Sequence, residues 1–119
     1  MIEITPLKKP FDRTINAPPS KSYTNRALLI GALSDGKSQI TNTLQSDDTA
    51  YMEEALRQLG IDIEKKDNSY IIWGKGGKFN LPEKELFIGN AGTAMRFLTT
   101  ACALTKSGKT IIRGNKRMN

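Results

Sequence analysis

The stretch SDDTAYMEEALRQLGIDIEKKDNSYIIW, residues 46–73, carries the pattern that decides the fold. Ser46 is a good helix cap, and Asp47 and Asp48 suit the partly positive start of a helix. Met52, Ala55, Leu56 and Leu59 follow at i, i+3, i+4 and i+7, so one helical face is apolar and belongs to a core. Gly60 supplies the stop. The period then changes. Residues 61–64 and 70–73 are short runs rich in isoleucine and aromatics, joined through Lys66, Asp67, Asn68 and Ser69, and they read as a hairpin.

Working outward, the same alternation of helix and strand continues. Toward the N-terminus, residues 38–42 read as a strand and residues 22–33 as a helix. Ala27, Leu28, Leu33 and Ile30 form the buried side of that helix, and Ser34, Asp35 and Gly36 end it. Pro18 and Pro19 precede it, because proline donates nothing to a ladder and restricts its predecessor. Residues 2–7 and 14–17 read as short strands. Toward the C-terminus, residues 74–78 read as a solvated loop and residues 86–88 as a strand. Residues 93–104 follow as a third helix and residues 110–113 as a last strand. The whole is an α/β or α+β pattern.

Composition narrows the chemistry. The 119 residues include one cysteine, Cys102, and no histidine. An internal disulfide is therefore impossible, and His/Cys zinc sites and Ser-His or Cys-His nucleophile pairs within the chain are excluded. The longest apolar run is seven residues, 27–33, against about 20 for a membrane span. No secretory signal is visible at the start, which gives a cytoplasmic expectation. The net charge of +6 sits mostly at one end. Lys106, Lys109, Arg113, Lys116 and Arg117 leave thirteen bases against twelve acids before them. That tail has no aromatic residue to stack on bases and reads as a strand, so nucleic acid is not the expected partner. Cys102 and Trp73 read as packing residues.

Two loop-to-helix corners carry the candidate chemistry. In the first, Ser20, Lys21, Ser22, Tyr23, Thr24, Asn25 and Arg26 follow the two prolines. A lysine at a helix start has the wrong sign unless an anion joins it. Lys21, the Ser22 hydroxyl, Arg26 one turn on, and free backbone N–H groups are the parts of a phosphate or carboxylate site. Spacing alone favours a capped helix with two solvated basic residues. The second corner, Gly89 to Arg96 (GNAGTAMR), repeats the logic. Gly92 permits close backbone approach, Thr93 is a candidate cap, and Arg96 lies one turn on. A glycine hinge, a cap and a surface arginine fit the same pattern equally well. Neither corner is a Walker loop or a dinucleotide fingerprint. Two such corners in one small chain imply a ligand with two negative groups, or two anionic ligands side by side.

The segments APPSKSYTNRALLIGAL (residues 17–33), LQSDDT (44–49) and FIGNAGTAMR (87–96) resemble successive signatures of the 5-enolpyruvylshikimate-3-phosphate synthases, in order and spacing. The resemblance implies transfer of the enolpyruvyl group of phosphoenolpyruvate to the 5-hydroxyl of shikimate 3-phosphate. Phosphate is released by addition and then elimination, with no metal or organic cofactor. It implies that Lys21 contacts both substrates and that Ser22 and Arg26 hold shikimate 3-phosphate. Gly92 would line the phosphoenolpyruvate pocket, where glyphosate also binds in the family, with Asn90, Thr93 and Arg96 shaping it.

Pro19, Tyr23 and Phe97 stand where many members have glycine, a smaller residue and proline. Family members are several times longer, with two domains of three βαβαββ units each. The resemblance therefore makes residues 1–119 an N-terminal portion, with 1–17 as hinge-side strands and 18–119 as part of one domain. On that reading the proton-transfer groups belong to the remaining part, which would be this chain's partner, and the chain alone does not turn over. A stand-alone phosphometabolite-binding module and enolpyruvyl transfer to UDP-N-acetylglucosamine are the alternatives.

Overall fold

A computed structural model describes residues 1–118. Helix α1 spans Lys21–Leu33, strand β1 Asp35–Ile40, helix α2 Asp47–Gln58, strand β2 Asp62–Lys66 and strand β3 Ser69–Lys75. Strand β4 (Leu86–Phe87), helix α3 (Gly92–Ala101), a single 3₁₀ turn (Cys102–Leu104) and strand β5 (Ile112–Arg113) follow.

The first sheet has the order β1-β3-β2, with both pairings antiparallel. Its outer strands β1 and β2 are therefore parallel to each other. That arrangement demands a crossover, which α2 provides, and it leaves a slot that β3 fills. The α2 side chains Met52, Ala55, Leu56 and Leu59 are all buried, as their spacing requires. Ser46 and Thr49 cap the helix reciprocally, each side chain accepting from the other's backbone N–H. Gly60, at φ +88°, ends it in the left-handed conformation open to glycine. The hairpin turns through Asp67 and Asn68, with Asp67 at φ +50°. Tyr70 and Ile72 of β3 alternate inward with Ile63 of β2.

Helix α1 packs directly on β3, and the approach is close at one point. A Cβ on Gly74 would lie 2.3 Å from the carbonyl oxygens of Gly31 and Ser34. Helix α3 lies against α1 and α2, and joins the parallel pair β4 and β5 as a second crossover. Leu28, Ala32, Leu86, Ile88, Ala94 and Leu98 extend the core through this layer, and Cys102 closes it as a packing residue.

Four expectations need correction. Residues 2–7 and 14–17 form no strand. Ile2, Ile4, Leu7, Phe11 and Ile15 all face solvent, because none of the described strands pairs with them. On α1, Ile30 is 67% exposed while Asn25 is fully buried, so the helix is rotated from its apolar count. The third helix leaves α-geometry after Ala101. Lys75 is not solvated loop. It ends β3, donates through Nζ to the Gly60 carbonyl and lies 3.6 Å from Asp62. Trp73 packs on its strand, with Lys37 Nζ 5.7 Å from the ring centroid.

Candidate functional site: an arginine-lined cleft between two helix starts

The two corners are unequal. At α1, Ser20 is the cap. Its Oγ accepts from the Tyr23 N–H at 3.4 Å, and its carbonyl takes the Thr24 N–H and hydroxyl. Lys21, out of place beside a helix start, is balanced from within the protein: Nζ lies 2.7 Å from Asp48 Oδ2 at the start of α2. Asp48 thus does more than suit its own helix. Ser22 is half-buried and its hydroxyl has no partner among the described residues.

At α3 the opposite holds. The cap position is Ala91, which has no side chain to offer, and Thr93 lies inside the first turn instead of capping it. The first N–H groups of α3 therefore lack a side-chain acceptor, and the helix start carries its partial positive charge uncompensated. Gly92 lies at this start with no heavy atom within 4 Å of where a Cβ would be. Neither strain nor crowding within the fold requires glycine there, which leaves close approach from outside.

Arg26 of α1 and Gly92, Thr93, Arg96 and Phe97 of α3 line one cleft of about 350 Å³. No carboxylate lines it, and neither arginine has an ion-pair partner among the described residues. Two guanidiniums and a helix start without a side-chain cap on one hollow are the parts from which anion sites are built. Of the residues read from the sequence, Arg26, Gly92, Thr93 and Arg96 come together. Lys21 and Ser22 stand outside the cleft lining, and Asn90 is exposed on the turn before α3.

Sequence reasoning missed Asn25. It is fully buried on α1, and neither Oδ1 nor Nδ2 has a hydrogen-bond partner among the described residues. Its signal was present: it stands three and seven residues before Leu28 and Ala32, a polar residue on the buried face. It also missed the placement of Tyr23 and Phe97. The Arg26 guanidinium carbon lies 5.7 Å from the Tyr23 ring centroid and 5.6 Å from that of Phe97.

The two perturbed groups lie elsewhere. Burial, then the charge and hydrogen bond of Glu53, push the Tyr70 phenol up to about 12. Its hydroxyl donates to Gln45 Oε1 at 3.3 Å. Burial also raises the Cys102 thiol, which makes it an inert packing group. No group of three or more Cys, Asp or Glu side chains gathers as a metal site among the described residues, and no described helix is long and apolar enough to cross a membrane.

The fold and cleft define a class: α/β proteins with a basic cleft between the starts of two helices. Comparison with known proteins names the family. The sequence profile of EPSP synthase (3-phosphoshikimate 1-carboxyvinyltransferase) matches residues 7–119, and the chain belongs to that family. It is 44% identical over 117 residues to the 3-phosphoshikimate 1-carboxyvinyltransferase of Rhizobium leguminosarum bv. trifolii, covering 98% of this chain and 28% of that one. It is 43% identical to the pentafunctional AROM polypeptide of Schizosaccharomyces pombe, covering 93% of this chain and 7% of that one. Among solved structures, EPSP synthase from Acinetobacter baumannii superposes with a TM-score of 0.79 at 28% identity. That match covers 86% of this chain and 23% of that one. The chain thus spans about 28% of the length of the bacterial relative it matches. The order α1-β1-α2-β2-β3 gives five of the six elements of one βαβαββ unit, and β4-α3-β5 opens the next.

Proposed function

We propose that the chain supplies the anion-gathering corners of an enolpyruvyl transferase that joins phosphoenolpyruvate to the 5-hydroxyl of shikimate 3-phosphate. The observation that carries this reading is the convergence of Arg26 and Arg96, from two separate helix starts, on one cleft without a carboxylate. Both substrates are small and multiply charged, and family membership favours shikimate 3-phosphate over a nucleotide sugar as acceptor.

In the reaction, the 5-hydroxyl oxygen bonds to C2 of phosphoenolpyruvate as the hydroxyl proton passes to a base and C3 takes up a proton. The adduct then loses a proton from C3 and phosphate from C2, which restores the double bond. The residues present here serve binding. Arg26 with Ser22 would take the shikimate phosphate, and Lys21 would lie between the two substrates. Arg96, Thr93, Asn90 and the bare backbone at Gly92 would frame phosphoenolpyruvate. The groups that move protons would come from the part of the family's length outside residues 1–119, so the chain alone binds without turnover. A cytoplasmic setting, with no metal, cofactor, nucleic acid or membrane partner, belongs to the same proposal.

Calorimetric titration of the 119-residue chain with shikimate 3-phosphate tests the reading. Charge-assisted hydrogen bonds are worth about 1.5–3 kcal/mol, so Arg26→Ala should weaken shikimate 3-phosphate binding about tenfold or more, and in a second titration Arg96→Ala should weaken phosphoenolpyruvate binding by a similar factor. Binding indifferent to both variants would overturn the site. Phosphate release by the chain alone, given both substrates, would overturn the division of labour.

A further inference from the structure

Arg26 is a long, exposed side chain with no carboxylate to hold it, yet an anion site needs its guanidinium in one place. Two aromatic rings supply that constraint. Tyr23, three residues earlier on α1, presents its ring centroid 5.7 Å from the guanidinium carbon, and Phe97 of α3 does so at 5.6 Å. Guanidinium over an aromatic ring within about 6 Å is an attractive cation–π contact.

The surroundings distinguish the two rings. Tyr23 is 73% exposed, so core packing does not account for its ring. Phe97 lines two hollows at once: the arginine cleft on one side, and on the other an apolar groove with Leu29, Leu33, Ala101 and Leu104. Its partly buried ring also packs against the hydrophobic core, which anchors it to the body of the protein.

We propose that Tyr23 and Phe97 are positioning residues that hold the Arg26 guanidinium at the mouth of the cleft, so that α1 and α3 present their two cations side by side. They touch no reacting atom and act only through Arg26. This inference rests on the anion-site reading above.

The test combines two readouts on the 119-residue chain. By NMR, ring currents shift the Arg26 side-chain resonances. Phe97→Leu and Tyr23→Leu should each reduce that shift, and Phe97→Tyr should keep it. By titration with shikimate 3-phosphate, each leucine variant should weaken binding about two- to fivefold, as an exposed cation–π contact implies, and Phe97→Tyr should restore it. Tyr23→Leu guards against a folding artefact at Phe97, because an exposed ring leaves the urea midpoint unchanged when removed. Arg26 shifts unchanged in both leucine variants overturn the clamp. Shifts lost with affinity intact overturn the positioning role, and the rings then only pack the arginine stem. No saturable response from the unmodified chain overturns the anion-site reading and the positioning role with it. Binding by the unmodified chain that both leucine variants match overturns the positioning role alone.

Discussion

Replacing Asn25 with leucine should stabilise the protein. The side chain is fully buried, and neither its carbonyl oxygen nor its amide nitrogen has a hydrogen-bond partner among the described residues. Burying a neutral polar group without a partner costs about 1–3 kcal/mol. Leucine has the same branching and the same number of heavy atoms, on a helix whose adjacent buried positions are Leu28 and Ala32. The substitution removes the desolvation cost and adds apolar contact, less some strain from bulkier methyl groups. A net gain of about 1–2 kcal/mol follows. With a urea slope of about 2 kcal/mol/M, the unfolding midpoint should rise by roughly 0.5–1 M at unchanged slope. Asn25→Ala should fall below the leucine variant, since it also removes the amide but leaves a void. Equilibrium urea unfolding followed by far-ultraviolet circular dichroism reads all three proteins. A leucine variant with a midpoint at or below that of the unmodified chain refutes the reasoning, because the carboxamide would then be making bonds worth at least what its burial costs.

Three further outcomes are expected. Asp48→Asn breaks the 2.7 Å pair with Lys21 and removes a carboxylate from the start of α2; both groups are partly solvated, so urea unfolding should show a loss of about 0.5–1.5 kcal/mol while phosphate titration shows tighter binding to the freed Lys21. Gly74→Ala drives a Cβ within 2.3 Å of two backbone oxygens and should cost about 3 kcal/mol or more, whereas Gly92→Ala meets open space and should change the unfolding free energy by no more than about 1 kcal/mol while weakening phosphoenolpyruvate binding. Tyr70, whose phenol is raised in the fold from 10 to about 12, favours the neutral form; its contribution is complete below pH 10 and is lost as pH rises toward 12, by about 2–3 kcal/mol at the limit. Stability measured from pH 9 to 12 should fall more steeply for the unmodified chain than for Tyr70→Phe.

The parts of the fold that could be read from the sequence are those in which one element's own pattern settles its burial. The stripe Met52, Ala55, Leu56 and Leu59 went to the core because α2 must cover a sheet with one face, and a four-residue apolar stripe leaves no other rotation. The hairpin was legible because Asp67 and Asn68 tolerate the left-handed turn that two adjacent strands require. Strand β1 was misplaced by three residues at its start, since Asp35 and Gly36 look like a turn. They pair instead with Lys75 and Gly74, because the close approach of α1 to Gly74 carries the sheet that far. The arm at residues 1–20 fails for a different reason. Ile2 and Ile4 alternate as a strand should, but alternation only states which face is apolar. A strand also needs a neighbour, and none of the described strands is one.

The candidate site divides along the same line. Each corner was legible as a hydroxyl and an arginine about one turn apart at a helix start, with a lysine at the first and glycines at the second, since those offsets are local. Their inequality was not. At α1 the start is closed by Ser20, and Lys21 is drawn to Asp48, a residue of a different helix. At α3 the cap is alanine, so the helix start stays open, and Arg26 arrives from across the α1–α3 contact to stand beside it. An anion offered to both corners therefore meets a side-chain-capped helix and a paired lysine at one, and a helix start without a side-chain cap beside two guanidiniums that have no ion-pair partner among the described residues at the other. On the proposed reading the second should bind more strongly, because its charges owe nothing to a protein carboxylate. Lys21 becomes a full cation toward a ligand only if Asp48 releases it.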